Sequence, residues 1–209
     1  MTANLLEQLA AGKAPPLVQL NLDQYHEMIR DGILPEGSPI ELIDGFLIHK
    51  DRGTKDSKPM GHGPRHALVV KQLQQLLSRI ANAGRWHLSV QLPVTLTNIS
   101  EPEPDLAVIR GRPADYATRH PGPGDILLLV EVADTSLTYD RTTKLKLYAS
   151  VGVPRYWIVN LSDNVVEVFE EPRPAENRYV RQDVLGRNSQ LVLQLPDEEA
   201  VELSVSEIL

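Results

Sequence analysis

Residues 126–157, ILLLVEVADTSLTYDRTTKLKLYASVGVPRYW, decide how the rest of the chain is read. From Ile126 to Ala133 every residue is apolar except Glu131. A continuous apolar run of that length reads as a strand covered on both faces, in the middle of a sheet. A turn follows, then a helix carrying Lys144, with Leu145 and Tyr148 on its inward side. Gly152, with Pro154 beyond it, closes that helix, and 155–161 reads as a second strand. An ionised carboxylate inside the first strand is costly unless a cation or donor meets it. The fold must therefore supply a partner for Glu131.

Working upstream, PDLAVIR (104–110) is a strand opening at Pro104-Asp105, after a short acidic turn. Before it, Trp86 to Thr97 alternates throughout: Trp86, Leu88, Val90, Leu92, Val94 and Leu96 share one side. That pattern predicts a half-buried strand over the whole of 86–97. Apolar residues at 69, 70, 73, 76, 77 and 80 repeat at helical spacing between His66 and Ala83, and Gly84 reads as the stop. Residues 51–64, DRGTKDSKPMGHGP, are polar and rich in Gly and Pro, which predicts a loop. In IELIDGFLIHK (40–50), Asp44-Gly45 is a favoured hairpin turn between two apolar arms. NLDQYHEMIRDG (21–32) places Leu22, Tyr25 and Ile29 on one helical face, with Asn21 as N-cap and Gly32 as C-cap. Downstream, 165–169, 179–184 and 190–195 read as β-structure, and EEAVELSVSEIL ends the chain as a short helix or extended tail. The order of elements predicts an α/β or α+β fold with a mixed central sheet flanked by helices.

The 209 residues, 42% of them hydrophobic, suit a single domain over 1–209 with a weakly ordered segment at 1–19. No run approaches the roughly eighteen apolar residues of a membrane span, so no membrane partner is expected. MTANLLEQLAAGKAPP lacks the basic-then-apolar plan of a secretory signal. The absence of cysteine excludes disulfides and thiolate metal sites and fits a cytoplasmic location. A net charge of −7 argues against a basic coat for nucleic acid, but not against an enzyme with a local groove.

Three polar residues break apolar context in neighbouring elements: Asp105, Glu131 and Lys144. Consecutive strands usually neighbour one another, and a helix packing back on the sheet swings its first turns over the strand end. Two carboxylates and an ammonium can converge there. Carboxylates with a main-chain carbonyl, that of Val132, suit Mg²⁺ or Mn²⁺ better than zinc. The lysine would orient or deprotonate a water, or offset charge on a phosphate. The plainer alternative is a buried ion pair between Glu131 and Lys144.

These residues resemble the PD-(D/E)xK nuclease superfamily, the restriction-endonuclease-like fold, and most closely its Uma-type branch. The matching pieces are ELIDG at 41–45, the helix opening at His66, QLPV at 91–94, EPDLAVIR at 103–110 and the long segment 127–161. The resemblance implies that Asp105 of Pro104-Asp105 and Glu131 are metal ligands, with Glu41 an acidic position near the metal. It also implies an added N-terminal hairpin and C-terminal strands. One departure stands out: the lysine two residues after the acid is absent, since Ala133 holds that place. In the Uma-type branch the lysine sits on the following helix, and Lys144 fits it. Lys146, roughly 200° around the helix from Lys144, should face elsewhere.

His66 and Gln91 are candidates for substrate contact or support of the site. Tyr148 and Trp157 read as core aromatics. Lys50, Arg52, Lys55 and Lys58 form a basic cluster, either solvated or gripping phosphates. The expectation from these readings is an endonuclease hydrolysing DNA with Mg²⁺ or Mn²⁺. A catalytically inactive module binding nucleic acid or a protein is the alternative, and a small-phosphoester hydrolase a third. A homodimer is expected because cutting a duplex addresses two strands. No stretch marks its interface.

Overall fold

Strand β5 (Ile126–Ala133) is buried along its whole length, as its composition predicts. The structure is a computed structural model that describes residues 17–35, 37–50, 63–79, 85–196 and 199–209. The expected basic cluster at Arg52, Lys55 and Lys58, most of the 1–19 segment and the helix stop at Gly84 lie outside those residues.

A six-stranded mixed sheet runs in the order β3 (Trp86–Val90), β4 (Leu106–Arg110), β5, β6 (Arg155–Asn160), β7 (Val165–Arg173), β8 (Arg178–Gly186). Only β5 and β6 are parallel; the other neighbours are antiparallel. A parallel pair needs a crossover, and the helical run between these two strands provides it. That run, α3, has three pieces: Leu137–Tyr139, a π-helical turn Asp140–Lys144, and Leu145–Ser150. Val151 and Gly152 end it, the glycine in the left-handed region at φ +75°.

The sheet separates two apolar layers. Leu128, Val130 and Val132 face one layer together with Val69, Leu73 and Leu77 of helix α2 (Pro64–Ser78). A hairpin of β9 (Gln190–Leu193) and β10 (Val201–Ser204) covers the same face through Leu191, Leu193 and Leu203. Leu129 and Ala133 face the opposite layer, against Leu147, Tyr148 and Ala149 of α3. Between them, by alternation, Glu131 points to the α3 side.

Helix α1 (Leu22–Arg30) has the expected N-cap: Asn21 Oδ1 accepts from the Gln24 amide at 2.9 Å and Gln24 returns the bond. The hairpin of β1 (Ile40–Ile43) and β2 (Phe46–His49) turns at Asp44-Gly45, both in the left-handed region at φ +49° and +77°. Gly45 is required twice over, because a Cβ there would lie 2.4 Å from Gln19 Cβ.

The long strand expected over 86–97 is corrected. Its ladder ends at Val90, because Gln91 takes φ +50° and turns the chain out of the sheet. Pro93, which has no amide hydrogen, cannot resume the ladder. Trp86 belongs to the α2 layer while Val94 and Leu96 belong to the α3 layer, so the alternating residues do not share a side. Leu92 is 57% exposed. Leu92→Ala should therefore change the unfolding free energy by less than about 0.5 kcal/mol. Leu96→Ala, at a buried position, should cost about 3 kcal/mol, both read from urea denaturation.

Candidate functional site

Asp105 sits one residue before β4, and continuing the Leu106↔Val130 register sets it abreast of Glu131. Its location places the carboxylate where three donors reach it. His66 Nε2, from the first turn of α2, and the Val132 amide both lie 2.9 Å from Oδ2. Gln91 Nε2 donates to Oδ1 at 3.3 Å. The left-handed turn at Gln91 thus brings its amide to the acid, while its backbone N–H bonds the Asp105 carbonyl at 3.1 Å. Burial works to raise the Asp105 carboxyl, but the His66 contact, the Val132 amide and the charge of Lys144 hold it below the ordinary value.

Glu131 is met by α3. Lys144 Nζ and the Tyr148 hydroxyl both donate to its Oε1 at 2.8 Å. Residues 144 and 148 are four apart, so they stack on the helix face that looks down on β5. Lys144 also lies 3.5 Å from Glu41 Oε2. Glu41 comes from β1 and reaches the sheet because the Glu101 amide bonds the Leu42 carbonyl at 2.7 Å, stitching β1 to the segment before β4. Tyr139 donates to Glu41 Oε1 at 3.4 Å and the Glu103 amide to Oε2 at 3.2 Å. The four charged groups are 1% (Glu41), 7% (Asp105), 5% (Glu131) and 5% (Lys144) exposed, so their interactions are little screened by water.

The π-helical turn sorts the side chains of α3. Lys144 is turned inward to Glu131 while Arg141 forms a forked pair with buried Glu167 of β7, at 2.6 and 2.9 Å. Asn160 adds a bond to the same carboxylate at 3.1 Å. This pins the turn to the sheet on one side and leaves the lysine over β5 on the other. Lys146 is exposed, as expected.

Negative charge exceeds positive charge here. Desolvation raises Glu131 from its ordinary 4.5 to about 8, with Asp140 and Asp105 adding to the rise and Lys144 opposing it. Burial alone would lower the Lys144 ammonium, but Glu131, Glu41 and Asp140 outweigh it and lift it well above its ordinary value. An excess of buried carboxylate with hard oxygen donors is an environment that suits a divalent cation. Asp105, Glu131 and the main-chain carbonyl of Val132 are the groups with the right chemistry. Among the described residues no three His, Cys, Asp or Glu side chains form a ready-made metal cage.

The structure gathers Glu41, His66, Gln91, Asp105, Glu131 and Lys144 in one place. The sequence places Tyr148 among the core aromatics; its ring is core, but its hydroxyl donates to Glu131. The signal lay in its spacing of four from Lys144. Nothing in the sequence marks Asp140, whose charge acts on Glu131, or Tyr139, which donates to Glu41. Lys50 pairs with Glu103 beside Glu41. Trp157 is a fully buried core residue, as expected.

A family described as "Uma2: Putative restriction endonuclease" matches residues 22–206. Among solved structures the chain is similar to a "putative nuclease belonging to DUF820 from Anabaena variabilis", with a TM-score of 0.63 and 16% identity over 90% of this chain and 97% of that one. At that identity the likeness bears on the fold. No curated protein matches the chain.

The shifted groups predict a pH dependence in metal-free protein. Between the ordinary 4.5 and about 8, folded Glu131 binds more proton than its unfolded counterpart, so its contribution to stability is lost as pH rises through that window. Asp105, shifted down, loses its contribution only in acid, and Lys144 only at high pH. The thermal midpoint should therefore fall from pH 5 to pH 8, and Glu131→Gln should flatten that slope in calorimetric scans.

Proposed function

Because the chain belongs to the Uma2 family, we propose that it is a divalent-metal-dependent endonuclease that hydrolyses phosphodiester bonds in DNA. The observation that carries this reading is the pair of buried carboxylates on adjoining strands, Asp105 and Glu131, with Lys144 donating to Glu131 at 2.8 Å. Asp105, Glu131 and the carbonyl of Val132 would hold Mg²⁺ or Mn²⁺. When bound, such an ion supplies charge for a phosphoryl oxygen and lowers the pKa of water.

The chain's own residues do the positioning. His66 and the Val132 amide fix Oδ2 of Asp105. Lys144 and Tyr148 both use Oε1 of Glu131, so Oε2 is engaged by neither. The elevated Lys144 stays protonated at neutral pH, which suits it to orient the attacking water and to offset charge on the phosphate rather than to take a proton. Glu41, within reach of the same ammonium, keeps it over the strand end.

A second reading has one observation in its favour. Glu131 is closed into bonds with Lys144 and Tyr148, as in a structural ion pair, which fits a module that binds nucleic acid or a protein without cutting. Titration calorimetry with Mn²⁺ separates the two, since the module needs no metal.

Asp105→Ala and Glu131→Ala should each abolish Mg²⁺- or Mn²⁺-dependent nicking of supercoiled plasmid. Lys144→Ala should slow it about 10²- to 10³-fold, in the range seen for loss of one preorganised donor. If Asp105→Ala and Glu131→Ala cut as fast as the parent, the assignment of this site is wrong.

A further inference from the structure

The two edges of the central sheet are unlike. At one, β3 is five residues long and is stopped by the turn at Gln91. At the other, β8 runs for nine residues, Arg178–Gly186, and pairs only with β7 among the described residues. A long free edge offers unpaired N–H and C=O groups, and monomeric proteins usually blunt it with charged side chains, lysine above all, with proline or with a short strand. The sequence of β8, RYVRQDVLG, contains neither lysine nor proline, and its charges, Arg178, Arg181 and Asp183, are of both signs and so do not repel a second copy uniformly. Val180 and Val184 are 44% and 60% exposed on it.

That sequence is also self-complementary when read against its own reverse. With Gln182 on a two-fold axis, an antiparallel copy sets Val180 opposite Val184 and Arg181 opposite Asp183, each twice. The same register sets Tyr179 abreast of Leu185 and Arg178 abreast of Gly186, but the match rests on residues 180–184, since the Tyr179 ring packs in the α3 layer and Leu185 against the α2 layer. Opposite charges directly across an antiparallel pair stabilise it, as do β-branched pairs, and like charges would oppose it. Any other register within this strand loses the Arg181–Asp183 match. A two-fold axis demands such self-complementarity, since each contact must occur twice.

We propose that β8 is the interface of a homodimer, in which two copies pair antiparallel about Gln182 and join their sheets into one twelve-stranded sheet. Arg181 already bonds Glu170 of β7 at 3.0 Å and Asp183 of its own strand at 2.8 Å. In the dimer the partner's Asp183 extends that row, from Glu170 through Arg181 and across the axis. The proposal does not depend on the nuclease reading.

The test uses the full chain, which contains no cysteine, so an introduced thiol is the sole one. Gln182→Cys places two thiols across the axis at about 4.5–5.5 Å between Cα atoms, a separation a disulfide spans. Mild oxidation should yield a covalent dimer at least tenfold faster than for Val192→Cys, an exposed position on β9. Val180→Cys and Val184→Cys should cross-link with each other when mixed and poorly when oxidised alone. By sedimentation equilibrium the parent should approach twice the 23.3 kDa chain mass, and Asp183→Arg or Arg181→Asp should weaken association at least tenfold. The double variant should restore it, and circular dichroism reports whether each variant folds. A monomeric parent at 100 µM overturns the proposal. So does a dimer in which Gln182→Cys links no faster than Val192→Cys, or whose affinity the charge reversal leaves unchanged.

Discussion

A carboxylate in the middle of a hydrophobic sheet is the constraint from which much of this structure follows. Glu131 sits between Leu129 and Ala133, both fully buried, and its charge has little water to lean on. Desolvating such a group costs several kcal/mol unless donors replace its hydration. The crossover helix lies across the strand end and brings an ammonium and a hydroxyl to one oxygen. The first hairpin is drawn to the same point through Glu41, and α2 through His66 on the neighbouring acid. Elements remote in sequence are thus held together by the need to satisfy a few charges.

The lysine that meets Glu131 comes from the helix and not from the strand, and packing gives a reason. Ala133, two residues after Glu131, is fully buried in the layer beneath Tyr148 and Leu147. A four-carbon stem there would overpack that layer. From α3 the Lys144 ammonium reaches Glu131 by descending from the helix. The π-helical turn makes this compatible with Arg141 reaching Glu167, two demands that pull adjacent parts of one helix toward different strands.

Much of this was legible in the sequence where one periodicity dominated. The uniform apolar run of β5, the Asp44-Gly45 turn and the Asn21 cap each have one local cause, and each is found where the residues put it. The reading failed at 86–97 because alternation records which residues are apolar, not which layer they serve; one left-handed residue reverses that assignment. Asp105, Glu131 and Lys144 stood out as polar groups in apolar surroundings. Tyr148 did not, since a tyrosine belongs in a core, and Glu41's approach to Lys144 depends on a pairing between distant segments. The symmetry of β8 was in the sequence throughout, but it acquires meaning only once that strand is known to lie at an edge.

The turn at Gln91 has a wider bearing. The chain on one side of it anchors in the layer under α2 and on the other in the layer under α3, while its side chain touches Asp105. The acid's surroundings are complete only when both sides of the sheet have been covered. Such wiring ties the acid's final environment to the finished fold: a chain caught midway in its maturation holds Asp105 without its full set of partners.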